Sequence, residues 1–506
     1  MGSPAQNDLS ENTHLPRAQY NETSMPFYQR PLVILAAALI LPPAGLVLLW
    51  LRKGVSILKK SFGSLAILAV AIAHLFLFYG LQMEFSGGMR PVFYFGGAQR
   101  QYQILEEARA AQQTLPPSTG STYWTDYRGP NRLGRYDQAP ILTIWPADGL
   151  RRIWKQPVGG GYASFTVANG LAFTIEQRRA TEVVAAYDIA SGRERWTNAW
   201  PALFREFMGG NGPRATPVWD QGRVYALGAT GELRCLEAAT GKLVWNKNIL
   251  SDNGARNLQW GMAGSPLIVD GKAIVAPGGP GGRSVVAYDK LSGQRVWSSL
   301  DDQAAYASPV VVTVGGRRQL LIVTAGRVVG LTVEEGRLLW EFPWVTHMGI
   351  NCTEPMVVGP NRVYVSSGYD HGAAVLELVP RGNAFEPRIV WANNRMKNKF
   401  NDPVLYEGHI YGLDEGILAC IDVQTGDLKW KGGRYGYGQV LLASGHLVVL
   451  TEDGDVALVR ASPERFQEVS RFSVLSGKTW NNPAISDGLL LVRNETEMAA
   501  FRIGVE

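Results

Sequence analysis

Two carboxylates in the second half of the chain, Glu354 and Asp402, are candidates for metal binding or acid–base chemistry. Each stands directly before a proline at the start of an apolar stretch, and Asn351, Asn401 and Asn482 occur at similar points. Carboxylate and amide oxygens are the ligands that a hard cation such as calcium prefers. These residues therefore predict an oxygen-rich calcium site, provided that the fold brings them together.

A simpler interpretation of the same carboxylates stays open. Lys397 and Lys399 are close to Asp402 in the sequence, so the two acids could form ion pairs with basic side chains or face solvent. His347 lies on the loop before Glu354 and is a weaker site candidate. The three cysteines are neither adjacent nor spaced to bind a metal.

An internal repeat is the element that would position these residues. Residues 186–196 (AYDIASGRERW) predict a strand, a tight Asp-x-x-Ser-Gly turn and a second strand that closes on tryptophan. The aspartate can accept hydrogen bonds from the amides ahead of it, and the glycine supplies a left-handed residue. Recurrence at about 40–50 residues is typical of four-stranded propeller blades. The closing residues are Trp196, Trp245, Trp297, Trp340, Trp391, Trp430 and, with a substitution, Phe472.

A lone strand before the first repeat complements an incomplete last repeat. Residues 150–154 form a closing strand with no repeat before it, whereas residues 483–503 supply only three strands. Pairing the two completes the last sheet and leaves no long free edge. The sequence therefore predicts an all-β fold over residues 121–506, an eight-bladed β-propeller in which the N-terminal strand closes the last blade.

Ligands of propellers bind at the mouth of the central channel, which is lined by the loops that lead into the inner strands. Most residues in these loops are small and polar. The loops are residues 159–162, 214–216, 262–265, 306–308, 351–354, 398–402, 435–438 and 480–482.

Two apolar stretches precede the propeller, at residues 31–51 and 64–83, and a polar tail of residues 1–30 precedes both. Each stretch is long enough to cross about 30 Å of hydrocarbon as a helix. The sequence therefore predicts a transmembrane helical hairpin over residues 31–85. His74 in the second stretch is either a functional residue or a neutral side chain packed between the helices.

The charges between the two stretches predict the orientation of the hairpin. Their connection holds Arg52, Lys53, Lys59 and Lys60 and no acidic residue. The positive-inside rule places such a loop in the cytoplasm, so both termini face outside. We expect a protein of the cytoplasmic (inner) membrane with its propeller on the extracytoplasmic side, which is the periplasm in a bacterial cell.

Residues 86–120 form a linker with a short helix predicted at 98–113, because this part is rich in strong helix formers. The formal net charge is only +5, and no basic run is interleaved with aromatic residues. This composition predicts no nucleic-acid partner.

The repeat Ala-x-Asp-x-x-Ser/Thr-Gly-x-x-x-Trp resembles the tryptophan-docking motif of the quinoprotein, or pyrroloquinoline-quinone-like, propeller superfamily. The resemblance covers about residues 120–506, and residues 123–134 (YWTDYRGPNRLG) resemble the W-x-x-x-RGPNRxG segment of bacterial repeat proteins of this type. That superfamily contains alcohol and glucose dehydrogenases that carry the quinone with calcium. It also contains non-catalytic scaffolds, such as the propeller lipoprotein of the outer-membrane β-barrel assembly machinery.

By this resemblance, Glu354 would be a calcium ligand, and Asp402 would be a ligand or the base that takes the alcohol proton as hydride leaves. The sequence departs from the alcohol-oxidising members because it has no vicinal Cys-Cys pair and no long insertions to build a substrate pocket. The residues that the resemblance would place at bound pyrroloquinoline quinone are Asn351, Asn401, Asn482 and Trp480.

The sequence leaves two main classes of function open. The first is a membrane-anchored binding or scaffold module for envelope proteins or ligands. The second is a pyrroloquinoline-quinone- and calcium-dependent alcohol or sugar dehydrogenase that passes electrons to the membrane. A ligand-sensing domain that signals through the hairpin is a third interpretation. Carboxylates that converge about 2.3–2.6 Å from one point beneath an aromatic-walled slot would favour the enzyme, and splayed carboxylates would favour the scaffold.

Overall fold

The computed structural model describes residues 26–95, 98–112, 116 and 118–505. The chain forms two compact units, one of Met1–Gln82 with Phe93–Gly97 and one of Met83–Val92 with Ala98–Glu506. The apolar helices lie in the first unit. The blades lie in the second.

Three helices form the apolar part of the first unit: α1 (Pro31–Ile40), α2 (Pro42–Leu51) and α3 (Ile57–Leu77). The stretch predicted as a single span at 31–51 is divided at Leu41, because a following proline disfavours helical backbone at that residue. The other helix begins earlier than residue 64 and ends before Gly80, which has a left-handed φ of 67°. Among the described residues, α3 is the helix that is long and apolar enough to cross a membrane.

Two strands and a helix follow the apolar helices in the sequence and precede the blades. Strands β1 (Leu81–Phe85) and β2 (Pro91–Phe95) form a two-stranded sheet. Helix α4 (Ala98–Ala110) follows, and its Arg109 donates a 2.7 Å hydrogen bond to the carbonyl oxygen of Pro157. This contact ties α4 to the strand that closes the propeller.

Eight sheets, each with four strands of the repeat, surround a central channel, which confirms the predicted eight-bladed propeller. Blades 1–4 consist of Thr166–Ala168, Leu171–Arg178, Thr181–Asp188 and Glu194–Pro201; Val218–Asp220, Arg223–Leu227, Glu232–Glu237 and Leu243–Asn248; Leu267–Val269, Lys272–Val275, Val285–Asp289 and Arg295–Ser299; and Val310–Val314, Arg317–Val323, Arg327–Leu331 and Leu338–Pro343. Blades 5–8 consist of Met356–Gly359, Arg362–Ser367, Gly372–Arg381 and Ala384–Asn393; Val404–Tyr406, His409–Asp414, Ile417–Asp422 and Leu428–Arg434; Gln439–Ala443, His446–Leu450, Asp455–Arg460 and Glu468–Ser473; and Ala484–Ser486, Leu489–Arg493, Glu497–Arg502 and Arg152–Pro157. One short helix, Ile249–Asn253, follows blade 2.

The apolar core lies between neighbouring blades. Between blades 4 and 5, for example, Val314 and Leu321 pack in one buried cluster with Val363 and Leu376. Because each blade buries apolar side chains on both faces, a blade cannot be stable alone and depends on its two neighbours.

The ring is closed by the strand that precedes the first repeat. Arg152–Pro157 pairs antiparallel with Glu497–Arg502, and Trp154 lies opposite Ala500. A two-residue strand, Arg135–Tyr136, also pairs in parallel with Gln439–Ala443, the innermost strand of blade 7. Residues before the first blade therefore contribute at both the outer and the inner edge of the ring.

The closing tryptophans connect each blade to the next. Trp154, for example, donates from Nε1 to the carbonyl oxygen of Ile189 at 2.8 Å. Its ring covers Gly192, whose φ is 69° and where a Cβ atom would come within 2.6 Å of the indole. The turn therefore needs glycine both for its backbone conformation and for the space that the ring occupies.

Candidate functional site

A belt of hydrogen bonds joins neighbouring blades at the residue two positions before the inner strand in blades 1 to 6. The amide of Ser164 donates to Oγ1 of Thr216 at 2.9 Å, and the amide of Thr216 donates to Oγ of Ser265 at 2.9 Å. The amide of Ser265 in turn donates to Oγ of Ser308 at 3.1 Å. Each side chain thus satisfies a backbone donor of the neighbouring blade, which explains why short polar residues occupy these positions.

Glu354 and Asp402 occupy the same belt position in blades 5 and 6. The amide of Glu354 donates to Oδ1 of Asp402 at 2.7 Å, which repeats the contact made by the hydroxyl residues. Both residues are buried, with 5% and 3% exposure. The structure thus brings together the two predicted carboxylates and gives Asp402 a role in joining two blades.

The segment at residues 126–134 brings two arginines into the channel. The Nη1 and Nη2 atoms of Arg132 donate to the carbonyl oxygens of Pro309 and Pro266 at 2.7 and 2.6 Å, which joins blades 3 and 4. Its Nη2 also lies 2.8 Å from Oδ1 of Asp126. Asn131 and Arg132 have positive φ angles of 55° and 60°, so this local conformation is held by tertiary contacts against its own backbone preference.

Arg128 fills the opposite part of the channel. Its Nη2 donates to the carbonyl oxygens of Asp402 and Pro403 at 3.2 and 3.1 Å, and its Nε lies 3.8 Å from Oδ2 of Asp402. Gly134 makes room for this guanidinium, because a Cβ atom there would come within 2.3 Å of it. The counterion of Asp402 therefore comes from far away in the sequence. Neither Lys397 nor Lys399 supplies it: Lys397 pairs with Asp414, and Lys399 contacts Gly87.

A tyrosine connects Asp402 to the last blade. The hydroxyl of Tyr127 donates to Oδ2 of Asp402 at 3.0 Å and accepts from Nδ2 of Asn482 at 3.1 Å. Burial raises the pKa of the Tyr127 phenol, so this group stays protonated and acts as a donor. Burial and the adjacent Asp402 charge also raise the pKa of Glu354, whereas Arg132 and Arg128 act in the opposite direction.

Several of the predicted calcium ligands have protein partners in this structure. A dication at Asp402 would have to share the carboxylate with the Arg128 guanidinium, and like charges at that distance repel. Two of the predicted amide ligands are used elsewhere: Oδ1 of Asn351 accepts from Ser367 at 2.7 Å, and Oδ1 of Asn401 accepts from Asn398 at 3.1 Å. Within the described residues, no three His, Cys, Asp or Glu side chains are grouped to hold a metal. Calcium ligation and the role of Asp402 as a base stay predictions.

Above the arginines, the mouth of the channel contains a cavity of about 370 Å³. Its walls are largely aromatic, which differs from the mainly small and polar lining expected from the sequence. Two cationic side chains, Arg214 and Lys399, also reach it. The predicted candidates Asn482, Trp480 and His347 line the cavity, as does Cys352. The aromatic residues of its wall are Tyr127, Tyr162, Trp260, Tyr306, Tyr369, Phe400 and Trp480.

Trp480, predicted to contact a quinone, is held on several sides by protein groups. Its ring centroid lies 4.7 Å from that of Phe400 and 5.3 Å from that of Tyr162. Its Nε1 donates to Oε1 of Glu452 at 2.8 Å, and Nζ of Lys478 lies 4.5 Å from the ring centroid. Contact between this tryptophan and a quinone stays a prediction.

Two contributors to the cavity were missed by reasoning from the sequence. Trp260 lies just before the predicted loop residues 262–265, and Tyr369 lies on the turn between the second and third strands of blade 5. The tip between β1 and β2 supplies Ser86, Gly87 and Met89. The glycine-rich, aromatic composition of residues 87–97 was the signal available in the sequence.

Eight blades joined by tryptophan-to-turn contacts and closed by an N-terminal strand define a propeller of the quinoprotein type. A family model described as outer membrane protein assembly factor BamB matches residues 180–432, which is half of the chain. The chain belongs to this family of repeat propellers.

Individual relatives fall into the same two functional classes. The chain is 21% identical over 281 residues to the outer membrane protein assembly factor BamB of Yersinia pestis, which covers 52% of this chain and 68% of that protein. It is 33% identical over 182 residues to a 1-butanol dehydrogenase (cytochrome c) of Thauera butanivorans, which covers 32% of this chain and 25% of that enzyme. The crystal structure of BamB from Moraxella catarrhalis matches the fold with a TM-score of 0.50 at 17% identity, covering 71% of this chain and 98% of that one.

Proposed function

We propose that this protein is a membrane-anchored binding module whose propeller recognises its partner at the mouth of the channel. The occupation of the channel centre by Arg128 and Arg132 carries this proposal. The guanidinium groups satisfy the backbone carbonyls of blades 3, 4 and 6 and stand beside both buried carboxylates. The centre therefore acts as a structural hub. A second cavity of about 440 Å³ is lined by both arginines, Glu354 and Asp402, and we assign the ligand to the aromatic cavity at the mouth.

We further propose that the propeller lies outside the cytoplasm and serves envelope proteins. Helix α3 has the length and composition of a membrane span, and the basic residues Lys59 and Lys60 lie in its first turn. The positive-inside rule favours a cytoplasmic location for that end. The match to an outer membrane protein assembly factor supports an envelope role.

A quinone-dependent alcohol or sugar dehydrogenase is the second candidate. It is favoured by the 33% identity to the butanol dehydrogenase and by an aromatic-walled cavity that two cations reach, a combination suited to a flat anionic ligand. Its difficulty is the donor set, since calcium binding at Asp402 would require Arg128 to leave.

Reconstitution of the detergent-solubilised full chain with pyrroloquinoline quinone and calcium tests the two candidates against each other. We expect no stoichiometric quinone in the absorption spectrum after gel filtration and no dye-linked oxidation of alcohols or sugars. Tight quinone binding that is lost in Asp402→Asn and kept in Asp427→Asn would refute the binding-module proposal. Asp427 is the control because it is exposed on blade 6.

Alkaline phosphatase fusions at residues 53 and 505 test the orientation in the membrane. Only the fusion at residue 505 should be active.

A further inference from the structure

The tip of the hairpin between β1 and β2 makes a specific set of contacts in the mouth. The amide of Gly87 donates to Oε1 of Glu452 at 2.5 Å, and the carbonyl oxygen of the same residue accepts from Nζ of Lys399 at 2.6 Å. A Cβ atom on Gly87 would come within 2.3 Å of the Tyr437 ring. Both backbone polar groups of Gly87 are thus bound, and its side chain is restricted to hydrogen.

The two charged groups that hold Gly87 are fixed by the propeller itself. Glu452 is 9% exposed, and its carboxylate also accepts from Nε1 of Trp480 at 2.8 Å and from the amide of Tyr437 at 3.3 Å. Nζ of Lys399 lies 4.8 Å from the ring centroid of Tyr437 and 4.9 Å from that of Tyr369. A preformed acceptor and a preformed donor thus meet the backbone groups of a turn residue, since the amide of Met89 donates to the carbonyl oxygen of Ser86 at 2.9 Å.

Two residues before the glycine contact propeller side chains of complementary chemistry. Glu84 lies 3.4 Å from Nζ of Lys478, whose side chain is 9% exposed. The ring of Phe85 packs edge-on against Phe207 with centroids 5.3 Å apart. The mouth therefore contacts an acidic residue, an aromatic residue and a glycine at positions 84, 85 and 87, with the small residue Ser86 between them.

Space for a ligand remains in the cavity when the hairpin tip is bound. Ser86, Gly87 and Met89 line a volume of about 370 Å³ that stays open in their presence. Pro91 and Val92 on the returning strand are exposed. A two-stranded hairpin is marginally stable in water by itself, so the position of this tip depends on its contacts with the propeller, which a competing segment would have to replace.

We propose that the mouth is a recognition site for a partner-protein segment of the form acidic–aromatic–small–glycine, and that the hairpin tip occupies this site as an intramolecular ligand until the partner displaces it. The proposal rests on the binding-module function and gives the chemistry of its partner. Lys478 binds the carboxylate, Phe207 contacts the aromatic ring, and Glu452 and Lys399 bind the amide and the carbonyl of the glycine.

A labelled peptide with the sequence of residues 83–91 (MEFSGGMRP) provides the probe, with fluorescence anisotropy on the detergent-solubilised full chain as the readout. Gly87→Val in the protein should unseat the tip. Gly88→Ala is the matched control, because a Cβ atom there meets Tyr437 at an ordinary 3.6 Å. We expect Gly87→Val to bind the peptide roughly tenfold or more tightly than the wild type and Gly88→Ala, since an intramolecular competitor acts at an effective concentration of about millimolar.

Two further binding measurements test the recognition of the peptide itself. Lys399→Met in the Gly87→Val background should weaken binding by roughly tenfold, as expected for loss of a charged hydrogen bond. A peptide with valine in place of the glycine equivalent to Gly87 should not bind, and this arm requires no change in the protein. Equal binding of the two peptides, or equal binding by Gly87→Val and wild type, overturns the inference.

The same Gly87→Val protein separates this inference from the proposed function. Displacement of the peptide by pyrroloquinoline quinone with calcium would refute the binding-module function. Absence of both peptide and quinone binding would refute only the assignment of the mouth to an acidic–aromatic–small–glycine segment.

Discussion

Replacing Arg132 by methionine tests whether the channel centre holds the blades together. The guanidinium is buried and donates to carbonyls of blades 3 and 4 and to Asp126. Methionine keeps an apolar stem of similar length and removes every one of these donors. Hydrogen bonds from charged donors contribute about 1.5–3 kcal/mol each, but those of one guanidinium are not additive.

The expected loss follows from the ion pair that the substitution breaks. Removing one partner of a buried pair costs about 3–5 kcal/mol in the free energy of unfolding. Asp126 keeps 21% exposure of its side chain, so solvent can compensate part of its lost counterion. We therefore expect a decrease of about 3–4 kcal/mol, in the lower part of that range.

Urea denaturation followed by tryptophan fluorescence measures this difference on the full chain in detergent. Arg135→Met is the control, because Arg135 also pairs with an aspartate at 2.8 Å but is 47% exposed. Exposed pairs contribute about 0–1 kcal/mol, so the control should stay close to the wild type. Equal losses in the two variants would show that the guanidinium of Arg132 does not hold blades 3 and 4, and the argument from the channel centre would fail.

Two further predictions concern single positions. Burial raises the pKa of Glu182 from 4.5 to about 7, so its stabilising contribution is complete below about pH 4.5 and is lost as the pH rises through about 7. Glutamine does not titrate, so the free energy of unfolding of Glu182→Gln should rise by about 3 kcal/mol relative to that of the wild type between about pH 4.5 and about pH 7. A difference in unfolding free energy that does not change with pH, measured by urea denaturation, would contradict this. Gly293→Ala should lower the thermal midpoint more than Gly271→Ala. Both glycines have positive φ, but only at Gly293 would a Cβ atom meet an indole, that of Trp245, at 2.8 Å. Equal decreases of the two thermal midpoints in calorimetry would show that the Trp245 ring moves aside without loss of stability.

The ring could be predicted from the sequence because its determinants are local and repeated. The aspartate, the glycine and the closing tryptophan of each unit stand at fixed spacing, and the glycine turn and the ring that covers it belong to successive units. The strand that ends at Trp154 indicated how the ring closes. It has the sequence of a closing strand but no repeat before it, so it must complete an incomplete blade elsewhere in the ring. The structure confirms this pairing with Glu497–Arg502.

The centre and the mouth could not be predicted in the same way, because their contacts join residues far apart in the chain. Arg128 reaches Asp402, and Gly87 reaches both Lys399 and Glu452. Proximity in sequence favoured lysines as partners of Asp402, whereas the nearest guanidinium in space belongs to the segment before the first blade. No periodic pattern predicts which side chain of such a segment enters a channel.

The group that occupies the channel centre determines what chemistry Glu354 and Asp402 can perform. A calcium ion and an arginine both supply positive charge to Glu354 and Asp402, but they differ in what they leave available. Calcium keeps coordination sites for a further ligand, whereas the guanidinium of Arg128 directs its donors at backbone carbonyls and offers no such site. Binding energy at the mouth would then come from its aromatic residues and from charged groups such as Arg214, Lys478, Glu452 and Lys399. The last two hold Gly87, and on this ground we propose peptide recognition in preference to metal-assisted oxidation.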